Sequence, residues 1–229
     1  MIKVVVFDAY GTLFDVYSIG ILADNLFPGY GAVIATHWRD KQIEYTRLIT
    51  MSDPSGLEGS RYYQTFWELT RASLRYTLER LKLTLSPKVE DALMSQYAKL
   101  TTFPENHGVL QQLQTKGMAA AILSNGSSEM LESAVTSAGL KGLLQKVISV
   151  DDIRQFKTSP QSYALVFDAF QVQADEVLFV SSNAWDALGA TWFGFKTLWV
   201  NRQNLPFEAI GPRPTYVGSD LTKVLAVIE

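Results

Sequence analysis

Apolar residues fall along this chain in two rhythms. In the first, short runs rich in apolar residues end in polar turns: residues 3–7 (KVVVF), 118–126 (MAAAILSNG), 146–152 (KVISVDD), 176–186 (EVLFVSSNAWD) and 196–201 (KTLWVN). Compact runs without polar alternation predict strands buried on both faces of a parallel sheet. Helical segments separate them, at 105–117, 127–139 and 159–170. The first two close on Gly117 and Gly139, a favoured residue just past a helix end. The second opens on serines suited to an N-cap, and the third on Ser159-Pro160, with proline suited to the first turn. Strands alternating with helices predict an α/β doubly wound parallel sheet.

The second rhythm runs from residue 16 to about 96, where no good strand occurs. Residues 31–50, 61–81 and 87–100 place apolar and charged residues at helical spacing, and 51–59 (MSDPSGLEG) reads as a loop. The expected organisation is a Rossmann-like α/β core of residues 1–15 and 97–229 with an inserted helical cap of residues 16–96. The helix at 61–81 carries Tyr62, Tyr63, Phe66, Trp67 and Tyr76, more aromatic surface than a small cap buries. No internal repeat or low-complexity tract interrupts either part.

Nearly half of the 229 residues are hydrophobic, enough for a sizeable core, and the net charge of −3 carries no basic stripe, so nucleic acid is an unexpected partner. With no cysteine, disulfides, thiol catalysis and thiolate metal sites are excluded, compatibly with a reducing cytosol. No apolar run approaches the ~20 residues of a membrane span, and Met1 leads straight into a strand rather than a secretion signal. These features point to a cytoplasmic protein.

The chemistry gathers at the strand ends. Asp8 follows the first strand, Ser124-Asn125 the second, and Ser181-Ser182-Asn183, with Asp186 beyond, the fourth. In a parallel sheet these ends share one edge, where ligands bind. Asp8 taken alone reads as a loop cap, but three polar clusters at equivalent positions read as a site. Gly11 serves either a tight turn or plain loop geometry.

FDAYGTLFD (7–15), LSNG (123–126), a lysine ahead of Pro160-x-x-Tyr163 and SSNAWD (181–186) together resemble the haloacid dehalogenase superfamily. With Tyr10 and HWRDKQ (37–42), the chain more narrowly resembles the type II L-2-haloacid dehalogenases, over nearly its whole length. Phosphatases of that superfamily carry a second aspartate two residues after the first, to protonate the leaving alkoxide, and bind Mg²⁺. Tyr10 stands in that place here. Proton donation is typically worth ~10²–10⁴ in rate, but a halide leaving group does not need it. Losing a carboxylate also weakens a Mg²⁺ site, and SSNAWD offers one acid where phosphatases commonly place two. The resemblance therefore implies no cofactor and no metal, with a small 2-haloalkanoic acid and water as the reactants.

It further implies that Asp8 displaces halide from C2 of an (S)-2-haloacid, forming an ester that water opens to the (R)-2-hydroxyacid. Asp186 and Asn183 would activate that water, Lys157 would orient Asp8, and Ser181 would fix Lys157 and Asp186. Ser124 and Thr12 would bind the substrate carboxylate. Arg39, Asn125 and Trp185 would cradle the halide. Tyr10, Ile43 and Phe66 would line the alkyl pocket, with Tyr163 near the lysine. Read singly, Arg39 is an ordinary solvated helix charge, Phe66 serves equally as core packing, and the alternative for Trp185 is a helix-packing anchor. Two departures stand out. Phe156-Lys157-Thr158 replaces the usual Tyr-Lys-Pro, and Asp40 replaces a common glutamine; that acid is expected to face away from an anion site. His37 and His107 lack partners for a catalytic triad, Asp15 reads as a cap or hinge, and Asp151-Asp152 as loop formers. Relatives are commonly homodimers through the cap, and the same is expected here. The alternatives are a Mg²⁺-dependent phosphatase of the same fold and a non-catalytic carboxylate-binding protein. Against the second, an anion-binding site has no reason to gather two carboxylates.

Overall fold

A computed structural model describes residues 1–54 and 58–229, so the middle of the expected loop, residues 55–57, lies outside the described residues. Strand β1 (Val4–Phe7) is followed by helices α1 (Ile19–Leu26), α2 (Gly31–Ser52), α3 (Phe66–Arg80), α4 (Pro87–Tyr97) and α5 (Asn106–Thr115). Then come β2 (Ala119–Ser124), α6 (Ser128–Ser137), β3 (Lys146–Ser149), α7 (Pro160–Phe170), β4 (Val177–Ser181), α8 (Ala184–Phe193), β5 (Lys196–Val200), β6 (Tyr216–Gly218) and α9 (Lys223–Ile228). The sheet is wholly parallel in the order β3-β2-β1-β4-β5-β6. Every residue of β1 and β4 is buried, which is why both read as unbroken apolar runs. Edge strand β3 exposes its first two residues and gives the weakest run.

Some boundaries differ from expectation. Helix α3 starts at Phe66 rather than 61, because Thr65 forms a capping box with Glu68. β6, α1, α8 and α9 lie outside the elements predicted by the pattern. β6 has only three residues and none is buried. The first turn of α8 falls inside the segment 176–186, where the sequence shows a strand and its polar end but no separate helix signal. Helices α3 and α4 are clasped by Glu90, which accepts from Arg71 and Arg75 at 2.8 Å each. Burial raises the Glu90 carboxyl, but these two bonds outweigh it and leave the group below its ordinary value.

Strands β1, β2 and β3 step one way across the sheet, and the chain then returns to place β4 on the other side of β1. Strand order reverses between β1 and β4, and the crevice beyond their carboxyl ends is where such sheets take ligands. Asp8 and Ser182-Asn183 occupy that crevice.

Candidate active site

The turn after β1 is built to present a carboxylate. The Asp8 N–H donates to the Val180 carbonyl at 2.9 Å, continuing the β1–β4 ladder by one residue. The chain then folds back, with the Ala9 carbonyl accepting from the N–H groups of Thr12, Leu13 and Phe14. Gly11 adopts φ +95°, which favours glycine, and a Cβ there would sit 3.3 Å from Asn183 Nδ2. The turn therefore needs a residue without a side chain for both its backbone and the approach of Asn183.

Asp8 is 5% exposed. Its Oδ2 accepts from Asn183 Nδ2 at 2.7 Å and Thr12 Oγ1 at 3.0 Å, and its Oδ1 accepts from Lys157 Nζ at 3.1 Å. Three donors fill three of the roughly four acceptor sites of a carboxylate, so one lone pair stays open. Lys157 Nζ also donates to Asp186 Oδ2 at 3.0 Å and lies 4.9 Å from the Phe179 ring centre. Asp186 is fully buried, and its Oδ1 accepts from Tyr163 OH at 2.9 Å. Burial pushes the Asp186 carboxyl up to about 6 against the pull of Lys157, and the nearby Asp8 charge adds to the rise. Burial, then the Asp186 charge, hold the Tyr163 phenol well above its ordinary value, so it stays a donor.

The loop carrying Lys157 is gripped from both sides. The Lys157 N–H donates to Asn125 Oδ1 at 2.9 Å, and the preceding Phe156 N–H donates to Thr50 Oγ1 at 3.1 Å. Phe156 stacks on Tyr63 at 5.1 Å, and the Tyr63 hydroxyl donates to Asp151, whose other oxygen accepts from the Ser128 N–H. Asp151 thus ties the helical insert to the sheet side of the molecule. Asp15 caps the short 3₁₀ turn Val16–Ser18 by accepting from the Tyr17 N–H.

Arg39 arrives from α2 and is buried without any carboxylate partner among the described residues. Its Nη2 donates to the Tyr10 carbonyl at 3.0 Å and Asn183 Oδ1 at 3.3 Å, and its Nη1 to Gln42 Oε1 at 2.8 Å. On the outer side of this contact lies a cleft of about 820 Å³, bordered by Arg39, Ile43, Asn183, Trp185 and Arg202. The Tyr10 ring packs against Phe66 at 5.6 Å and Tyr97 at 5.8 Å, and its buried hydroxyl has no partner among the described residues. Burial raises the Tyr10 phenol, which remains protonated.

The family model for haloacid dehalogenase-like hydrolases matches residues 2–194. The chain belongs to this family. It is 39% identical over 228 residues to the (S)-2-haloacid dehalogenase of Pseudomonas sp. (strain YL), covering 100% of this chain and 94% of that one. The crystal structure of another L-2-haloacid dehalogenase superposes with TM-score 0.95 at 50% identity, covering 99% of this chain and 98% of that chain. That of the Xanthobacter autotrophicus enzyme with chloropropionic acid covalently bound gives TM-score 0.89 at 36% identity, covering 100% and 98%.

In this haloacid dehalogenase-like hydrolase the structure brings Asp8, Thr12, Asn125, Lys157, Tyr163, Asn183 and Asp186 into one bonded network, with Arg39 joined through Asn183 and Tyr10. Three expectations need correction. The Ser181 hydroxyl does not reach Lys157 or Asp186; it bonds the backbone of Asn183, accepting from its N–H at 3.1 Å, because the chain turns tightly after β4. The Thr12 hydroxyl is already spent, donating to Asp8 and accepting from the Ser182 N–H at 2.8 Å, so it holds the carboxylate rather than a ligand. Trp185 is not among these: it is half-buried and borders the cleft with Arg39, and its ring lies 5.5 Å from the Arg47 guanidinium, a partner the sequence did not suggest. Asp40 does not face away: it is exposed and borders the same cleft as Arg39. Successive helix residues point about 100° apart, so an inward residue 39 leaves residue 40 on the rim.

Ser124 keeps its donor: its oxygen accepts from the Gly126 N–H at 3.0 Å, leaving the hydroxyl hydrogen unused. Asn125 spends its oxygen on Lys157 and keeps its amide hydrogens. Ile43 lines the cleft and Phe66 the inner aromatic wall. Sequence reasoning missed Gln42, Thr70 and Tyr97 because isolated polar residues on amphipathic helices carry no signal until their burial is known.

Proposed function

We propose that this chain hydrolyses (S)-2-haloacids to (R)-2-hydroxyacids and halide, without a metal, through an ester on Asp8. The observation that carries the reading is a buried aspartate held by an ammonium and two neutral donors, with a tyrosine where a proton donor for an alkoxide would stand. Lys157 Nζ sits between Asp8 and Asp186, the place where a bridging cation would otherwise be required. One lone pair of Asp8 attacks C2, a C–O bond forms, and the carbon–halogen bond breaks with its electron pair leaving on the halide. Arg39, with the free amide of Asn125 and the edge of Trp185, receives that ion; a delocalised guanidinium suits a weakly hydrated anion. The Ser124 hydroxyl and the loop amides after β1 hold the substrate carboxylate. Tyr10, Ile43 and Phe66 bound the alkyl group.

Water then adds to Cγ of the Asp8 ester and gives its proton to Asp186, with Asn183 helping to place it. The bond from Cγ to the ester oxygen breaks, Asp186 passes its proton to that oxygen as the hydroxyacid leaves, and the Asp8 carboxyl releases the second water proton to solvent, which restores the carboxylate. Residues 16–96 act in this reading as a cap that delivers Arg39, Ile43 and Phe66 to the core of residues 1–15 and 97–229. A cytoplasmic location and a homodimer belong to the same reading. The α2–α3 face, with Leu48, Met51 and Tyr76 exposed, is the surface for the second copy; sedimentation at twice the chain mass is expected, and a monomer at micromolar concentration would remove it.

The test is halide release from (S)- and (R)-2-chloropropionate, separately, with EDTA present. Release from the (S) form alone, yielding (R)-lactate, is the expected result. No release from folded protein, or release abolished by EDTA, overturns the reading. The same assay run across pH probes Asp186. Its carboxyl is raised, so the base is present above about 6 and lost as pH falls through that value. An acid limb of kcat is expected below that pH, because the ester removes the Asp8 charge that adds to the rise, and a profile that stays flat through the ordinary carboxylate range would exclude Asp186 as the base.

A further inference from the structure

Resting on the reading of Arg39 as the halide receiver, we propose that Gln42 is the positioning residue that keeps the Arg39 guanidinium both aimed and fully charged. Gln42 is 0% exposed and lies one turn beyond Arg39 on α2. Its Oε1 accepts from Arg39 Nη1 at 2.8 Å and from Tyr97 OH at 3.1 Å. Its Nε2 donates to Thr70 Oγ1 at 2.6 Å, and that hydroxyl passes its own hydrogen to the Phe66 carbonyl at 2.6 Å. The direction of the chain is fixed at one end by arginine, which can only donate, and at the other by a carbonyl, which can only accept. Three helices therefore converge on one amide: α2 supplies it, the Tyr97 end of α4 and the first turns of α3 bind it.

The three acceptors that hold the guanidinium, Gln42, the Tyr10 carbonyl and Asn183, are all neutral. A carboxylate at position 42 would neutralise the cation in a buried setting, where charge pairing is strong. An amide of the same shape orients Arg39 and leaves its charge for an incoming anion. The Tyr97 hydroxyl strengthens the arrangement by occupying the second lone pair of Oε1, so the amide cannot turn away. Burial raises the Tyr97 phenol, which keeps that hydrogen.

Gln42→Glu retains the shape and offers Arg39 a carboxylate. The kcat on (S)-2-chloropropionate is expected to fall about tenfold or more, the scale of a bond to a charged group, while KM changes far less. Inhibition by added bromide is expected to weaken by a similar factor. Tyr97→Phe, which removes only the second donor on Oε1, is expected to move both quantities the same way by a smaller factor. A purely structural role would lower the melting temperature of both variants and leave bromide inhibition untouched. Wild-type kcat and bromide inhibition in both folded variants overturn the proposal. Arg39→Lys separates the two layers. If it loses turnover and bromide inhibition while the Gln42 and Tyr97 variants keep them, the Gln42 role alone fails; if Arg39→Lys keeps them, the halide reading fails and takes this proposal with it.

Discussion

Asp8→Asn is expected to lower the kcat of halide release on the order of 10⁴- to 10⁶-fold, the range seen when a nucleophile is removed from a machinery that works as a unit. The size follows from what surrounds the side chain. Oδ2 accepts from Thr12 and Asn183, and Oδ1 accepts from Lys157, so all three neighbours are donors. An asparagine keeps its oxygen toward the pair and turns its own donor hydrogens on the lysine ammonium. The amide is a far poorer nucleophile than the carboxylate, and the mismatch costs a further ~1–3 kcal/mol of stability as an unpaired buried donor. Halide release should be followed together with the intact mass of protein quenched after mixing with substrate. Wild-type protein should show a fraction carrying one carboxyalkyl group, and the variant none. Turnover that survives Asp8→Asn would remove the ester mechanism.

Lys157→Met is expected to have the second large effect, on stability as well as rate. The lysine is 1% exposed and is the only cation within 4 Å of Asp8 or Asp186 among the described residues. Methionine fills much the same volume but leaves two buried carboxylates facing one another. Breaking a buried ion pair by removing one partner costs about 3–5 kcal/mol. The pH dependence gives the sign. In wild type the ammonium opposes the rise of the Asp186 carboxyl caused by burial and by Asp8. Without it the folded-state value rises further above that of the unfolded chain, so the folded state binds the proton more tightly. The variant should then regain stability as pH falls through that raised value, whereas loss of a favourable ion pair alone would give no such recovery. Urea denaturation at several pH values reads this directly. Halide release at neutral pH should drop at least about 10²-fold, since oriented charge is usually a large part of catalysis. A variant as stable and as active as wild type would exclude Lys157 from the site.

Much of this protein was determined by the order of its residues alone. Strands buried on both faces must be apolar along their whole length, so β1 and β4 were legible as runs. Their polar ends were legible because a carboxylate or an asparagine directly after such a run has no place in a core. Gly11 was legible as a turn, and Tyr10 as the absence of an acid. Tertiary structure decided how the clusters share their donors. Which hydroxyl meets which carboxylate depends on distances of a few tenths of an ångström between segments more than a hundred residues apart, as in the contact of Thr12 with the Ser182 N–H. No local pattern encodes that, and so Thr12 and Ser181 were read as facing a ligand and the lysine when both were already engaged. The same holds for Gln42, an ordinary helix residue in sequence. Only the convergence of α2, α3 and α4 removes it from water, and burial without water is what forces each of its polar atoms to find a partner and so gives it something to hold.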